Sequence, residues 1–181
     1  MKTRSIIAVV LLLAASAAQA GDIRLGAGAA GGLTFPIAQD DQGRGTAFEI
    51  RGIVELMPSV LLEPNLNLVR YGEPDLSGIV SGLDGSKITG YGLDAMLGAG
   101  IGRSGIAPYG LIGVGMYQTK RDQTGEDNSE FGWSAGFGFI IGLAPQFGLD
   151  FRGRALVVSS EGGGSKKAAT VTGGLNFYLG K

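Results

Sequence analysis

The sequence predicts an all-β chain, with eight antiparallel strands wound up and down into a closed barrel. Three observations carry this. Apolar residues alternate with small or polar ones at a period of two along nearly the whole chain beyond residue 21, and helical spacing is hard to find. The polar links between these segments run long, short, long, short, long, short, long, so simple winding gathers every long link at one end. Glycine is in surplus at 34 of 181 residues, while proline is scarce at 6 and apolar residues reach 44%, so disorder does not account for it.

Residues 1–20 stand outside this pattern and read as a cleaved secretory signal peptide. Lys2 and Arg4 give a basic start, "IIAVVLLLAASAA" an apolar core, and Ala18-Gln19-Ala20 the small residues of a cleavage site. The apolar run is short for a bilayer-spanning helix, which needs about 20 residues. No other segment is long and uncharged enough for one. Residues 21–181 are then a single β-barrel domain. The chain has no cysteine, so an exported protein of this kind needs a source of stability other than disulfides, such as a closed hydrogen-bond network.

The strands are expected at about 22–33, 46–57, 59–71, 87–101, 107–118, 130–143, 146–158 and 167–179. The first is built of small residues, including "GAGAAG". In the second, Phe48, Ile50, Gly52, Val54 and Leu56 share one face, and Glu49, Arg51, Ile53, Glu55 and Met57 the other. The third sets Val60, Leu62, Leu66 and Leu68 against Glu63, Asn65 and Asn67. The fourth carries Tyr91 and Asp94. The fifth, "PYGLIGVGMYQ", is apolar on both faces. The sixth opposes Phe131, Trp133, Ala135, Phe137, Phe139, Ile141 and Leu143 to Gly132, Ser134, Gly136, Gly138 and Gly142. In the seventh, Phe147, Leu149, Phe151, Gly153, Ala155 and Val157 lie opposite Asp150, Arg152 and Arg154. The eighth ends in "TGGLNFYL".

Alternation alone does not say which face turns outward. A soluble periplasmic, lipocalin-like barrel points its apolar face inward around a ligand. Three features favour the opposite arrangement. The non-apolar face is rich in glycine, which suits the cramped interior of a narrow barrel. Its charges come in both signs: Arg24, Arg51, Arg152 and Arg154 against Glu49, Glu55, Glu63, Asp94 and Asp150. Near-balance is what a sealed lumen requires, because buried charges survive only when paired. Aromatics gather near strand ends, with Tyr91, Tyr117, Phe131 and Trp133 toward the long links and Tyr109, Phe147, Phe177 and Tyr178 toward the short ones. Such belts are expected at the two bilayer interfaces. The expected fold class is therefore an all-β, eight-stranded antiparallel up-and-down transmembrane β-barrel.

On strand count, link rhythm and the last strand, residues 21–181 resemble the small eight-stranded bacterial outer-membrane barrels, which include the OmpA transmembrane domain and the OmpX and OmpW types. In the last strand, Thr172, Gly174, Phe177 and Leu179 look like the C-terminal signal read by the barrel-assembly machinery, although Gly180 and Lys181 trail it. "APYGLIGVG" (107–115) looks like the fifth-strand segment of such barrels. The resemblance implies the bacterial outer membrane as location. Outer-membrane lipid, lipopolysaccharide and the assembly machinery are its implied partners, with four loops open to an extracellular partner.

No enzyme is expected. Without histidine there are no histidine-based triads and no histidine zinc sites. "GAGAAG" fits a dinucleotide fingerprint by letter only, since Pro36 and no helix follow. Asp122, Glu126, Asp127 and Glu130 do not have the spacing of a calcium loop and read as a solvated link. No cofactor or metal is implied. Without Lys2 and Arg4, thirteen basic residues face sixteen acids, a balance that offers no cue for nucleic acid. Arg152 and Arg154 are read as locking a closed lumen. The expected role is structural or loop-mediated, in envelope integrity or adhesion. The alternative is an OmpW-type conduit for small or hydrophobic solutes, its lumen made greasy by Ile112, Val114 and Met116.

Overall fold

The computed structural model describes residues 23–37, 43–72, 86–98, 105–121, 128–160 and 164–179. The predicted signal peptide and much of the long links lie outside these residues. The strands are β1 (Arg24–Ile37), β2 (Gly45–Met57), β3 (Val60–Tyr71), β4 (Ser86–Gly98), β5 (Gly105–Arg121), β6 (Asn128–Ala144), β7 (Phe147–Ser160) and β8 (Gly164–Leu179). Each pairs antiparallel with its sequence neighbours. The barrel closes where β1 meets β8, in register from Leu25↔Leu179 to Ile37↔Lys167. Closure leaves no sheet edge, so the ladder satisfies backbone groups that find no water inside a bilayer.

All eight expected strands are present, and β1 departs most from expectation by running through Pro36 to Ile37. Its pairing with β2 ends at Thr34↔Gly45, while its pairing with β8 continues. Pro36 therefore lies where one side of β1 has no partner strand, a position that tolerates a missing N–H. Pro64 is accommodated differently. The β2–β3 pairing keeps one register on either side of it, Arg51↔Asn65 and Val54↔Leu62, and a Cβ on Gly52 would stand 3.2 Å from Pro64 Cγ. A glycine opposite the ring gives it room.

Strand parity sorts the side chains cleanly. On β2, Phe48 and Ile50 are 44% and 49% exposed, whereas Glu49 and Arg51 are 4% and 1% exposed. The same division holds on β6 and β7, so the apolar face is the outer skin and the ionic face is the lumen. A lipocalin-like lining, which alternation alone leaves open, has the reverse arrangement. Two-residue turns, 58–59 and 145–146, mark one end of the barrel, and the long links join strands at the other.

Candidate functional site

The lumen is filled in layers. At mid-height the inward positions of β2, β3, β4 and β7 bring seven charged side chains together. Arg51 on β2 reaches Glu49 Oε1 at 3.0 Å, Asp150 Oδ2 at 2.5 Å and Glu63 Oε1 at 3.7 Å. Arg152 on β7 reaches Glu49 Oε1 at 3.2 Å, Glu63 Oε2 at 3.0 Å and Asp150 Oδ2 at 2.5 Å. Arg154 reaches Glu49 Oε2 at 3.3 Å and pairs with Asp94 on β4. All seven are buried. Each acid meets at least one guanidinium, which is what allows such charges to persist away from water. The two other predicted lumen charges stand apart: Arg24 Nε lies 2.8 Å from Glu55 Oε2 at the turn end, with its guanidinium over the Tyr178 ring.

Apolar side chains close the lumen on both sides of this ionic layer. Toward the turns lie Ile53, Leu61, Met96, Tyr109, Leu111, Ile140 and Tyr178. Toward the long links lie Ala47, Val69, Tyr71, Ile88, Tyr117, Leu156, Val158 and Ala168. The glycine surplus has its explanation here. A Cβ on Gly132 would fall 2.8 Å from the Tyr117 ring, and one on Gly138 would fall 2.5 Å from Tyr109 Oη. Bare backbone on one strand makes space for a ring from another. The space left beside Arg154, Tyr117 and Thr172 is a cavity of about 20 Å³, room for a single water. Arg154 Nε and Thr172 Oγ1 are buried there without a hydrogen-bond partner among the described residues.

Three of the eight aromatics expected at the lipid interface belong instead to the lumen: Tyr109 and Tyr117 are each 4% exposed and Tyr178 1%. Strand parity is the reason. Phe177 points outward, so its neighbour Tyr178 must point in. On β5 the inward face is Tyr109, Leu111 and Tyr117. The Tyr109 hydroxyl donates to Asp150 Oδ1 at 2.5 Å, giving a buried phenol the polar partner it needs. The other five, Tyr91, Phe131, Trp133, Phe147 and Phe177, stand on the outward face, with Phe147 and Phe177 in ring contact at 5.1 Å. Ile112 and Val114 are 61% and 52% exposed, and Met116 shares their face, so they do not grease the lumen as the conduit reading supposed.

Of the residues matching the assembly signal, Thr172 and Gly174 face the lumen and Phe177 and Leu179 face outward. The "GAGAAG" stretch lies within β1. Asp122, Glu126 and Asp127 fall outside the described residues, while Glu130 is buried, 3.4 Å from Lys166 Nζ. Sequence reasoning put Asn65 and Asn67 on the lumen face beside Glu63 but missed Asn176. Asn176 Oδ1 accepts from Arg51 Nη2 at 2.7 Å, and Asn67 Nδ2 donates to Asn65 Oδ1 at 2.6 Å. Asn176 shares parity with Thr172 and Tyr178, which was the available signal.

Residues 5–178 match the model of the outer membrane protein beta-barrel domain. The chain belongs to this family. Comparison with curated proteins gives no match. Among solved structures, Neisserial surface protein A is similar at 15% identity, with 87% of this chain and 97% of that one covered and a TM-score of 0.63. The N-terminal barrel of Pseudomonas aeruginosa OprF follows at 15% identity, 86% and 97% coverage and a TM-score of 0.58. Yersinia pestis Ail in a phospholipid nanodisc gives 17% identity, 87% and 100% coverage and a TM-score of 0.51. At these identities the likeness to other outer-membrane barrels is one of fold, and this lumen has to be read from its own residues.

Proposed function

We propose that this chain is exported, inserted into the bacterial outer membrane, and works there as a closed barrel. Its activity would reside in the long links at one end, in envelope integrity or adhesion, with no reaction catalysed. The observation that carries this reading is the filled lumen, an ionic layer held between two apolar layers. A pore needs a continuous wet path, and crossing this interior means separating buried ion pairs and displacing Tyr109 and Tyr117. The basic start and small-residue site of residues 1–20 support export, and the outward Phe177 and Leu179 support recognition of the last strand by the assembly machinery.

The test is electrical. Purified protein reconstituted into planar bilayers is expected to give no sustained conductance steps. A stable open channel would overturn the closed reading. Recovery of the protein from the periplasm without detergent would overturn membrane insertion itself.

A further inference from the structure

Two outward faces of the barrel have opposite shapes. On β6, Phe137 is 76% exposed, the most exposed large apolar side chain among the described residues. Its partners across the sheet are Gly110 on β5 and Gly153 on β7, and a Cβ on either glycine would meet nothing within 4 Å. The ring therefore leans on neither. Its outward neighbours along β6 are the small Ala135 and Phe139, whose ring is stacked on Phe151 with centroids 5.3 Å apart. Phe137 is a lone knob. On the β8–β1–β2 side the order reverses: one row of the sheet reads Phe48, Gly31, Gly173, Phe151, with two glycines between two phenylalanines. With Ala29 and Leu175 they line an open apolar groove of about 480 Å³. Its walls stand three strand spacings apart, about 14 Å, which admits one ring between them.

Knob and socket lie at one depth. Pairs followed round the barrel leave β1 at Leu25 and return to it at Phe35, nearer the long links, so each row climbs about 3 Å per strand. The socket row passes through Phe139 and climbs about 7 Å to its two glycines on β8 and β1. Phe137, two residues up β6 from Phe139, stands about 5 Å above it. Copies inserted the same way up in one membrane keep their depth, so only features at one level can meet. We propose that the socket between β8 and β1 receives Phe137 of a second copy of this chain. The proposal rests on the membrane-inserted reading above. A mobile acyl chain covers either feature and asks for no match between them, whereas a rigid ring in a rigid hole gains the close packing that joins proteins within lipid. Knob and socket sit about 110° apart round the barrel, so the contact is head to tail and builds arcs or small rings, not face-to-face pairs.

The experiment exploits the absence of native cysteine. Gly153→Cys, in open space beside the knob, and Ala29→Cys, in the socket, are co-expressed with different tags, and the outer membrane is treated with a short thiol-to-thiol cross-linker. The mixed pair is expected to cross-link about tenfold more than either variant alone, because like faces do not meet in a head-to-tail contact. Phe137→Ala, added to the Gly153→Cys barrel, is expected to lower the mixed yield about tenfold, the loss of one packed ring. A ring this exposed holds little of its own barrel, so the variant folds, and protease resistance checks that it has. Ile106→Ala removes another far-exposed side chain, on β5, and should leave the yield unchanged. Equal yields for mixed and single variants overturn the proposal, as does a mixed yield that Phe137→Ala leaves intact. Barrels found soluble without detergent would instead defeat the membrane reading.

Discussion

Along β2, Phe48 and Ile50 meet the outside while Glu49 and Arg51, one residue away, are sealed within. Two regions with opposite rules share one strand. The outer skin asks only for apolar bulk, because acyl chains are mobile and adapt to whatever shape they meet. The ionic layer asks for particular partners, since removing one group strands another in a place water does not reach. The same kind of change should therefore have a general cost outside and a specific one inside.

The largest effect is expected at Arg152. Its guanidinium meets Glu49, Glu63 and Asp150, and Arg152→Met leaves these carboxylates sharing Arg51 and Arg154. Breaking a buried ionic cluster in this way costs about 3–5 kcal/mol. Urea unfolding in lipid vesicles, followed by Trp133 fluorescence, reads it directly. A loss below about 1 kcal/mol would show the interior to be as forgiving as the skin.

Outside, Ile112→Arg places a cation near the midpoint of β5 and is expected to cost about 2–4 kcal/mol, the lipid-face penalty at the bilayer midplane. Ile112→Leu should change almost nothing. If the arginine variant folds with unchanged stability, β5 has been assigned the wrong face, and with it the filled lumen.

β5 is also where the sequence was least legible, and the reason is physical. Period-two alternation locates strands whatever lies on either side, so all eight could be found, and charges on β2 and β7 marked their lumen faces without ambiguity. In β5 both faces are apolar, one greasing the skin and the other packing the lumen, and alternation has no contrast to report. The tyrosines failed for a related reason. A phenol suits either a bilayer interface or a buried carboxylate, and only the neighbours of Tyr109, Tyr117 and Tyr178 decide which. Strict parity would have corrected Tyr178, because Phe177 beside it could not face the same way. The partners within the ionic layer were beyond the sequence, since which arginine meets which acid depends on register and barrel curvature.

Tyr109 then offers a cut through one contact instead of a cluster. Tyr109→Phe removes the hydroxyl that donates to Asp150 at 2.5 Å and keeps the ring beside Gly138. Hydrogen bonds to charged groups are worth about 1.5–3 kcal/mol, and the loss should fall in that range. Asp150 retains Arg51 and Arg152, so the layer stays assembled. A loss as large as that of Arg152→Met would mean the hydroxyl positions the whole layer. That would be visible as a further destabilisation shared with, and not added to, an Arg152 variant.

The smallest effect is expected at Asp94, and it separates charge from shape inside the lumen. The layer holds four carboxylates, Glu49, Glu63, Asp94 and Asp150, and three guanidinium groups, Arg51, Arg152 and Arg154. Asp94→Asn brings them into balance, keeps an oxygen for Arg154 to donate to, and nearly keeps the volume that Gly113 leaves open. The expected change is below about 1 kcal/mol, because an acid in excess is lost and Arg154 keeps its acceptor. Arg154→Met, which takes the partner from the other side and leaves Asp94 charged and buried, should cost several times more. Equal losses for the two would mean that the pair acts as a unit of fixed shape, and that charge balance is not what makes the inside stricter than the outside.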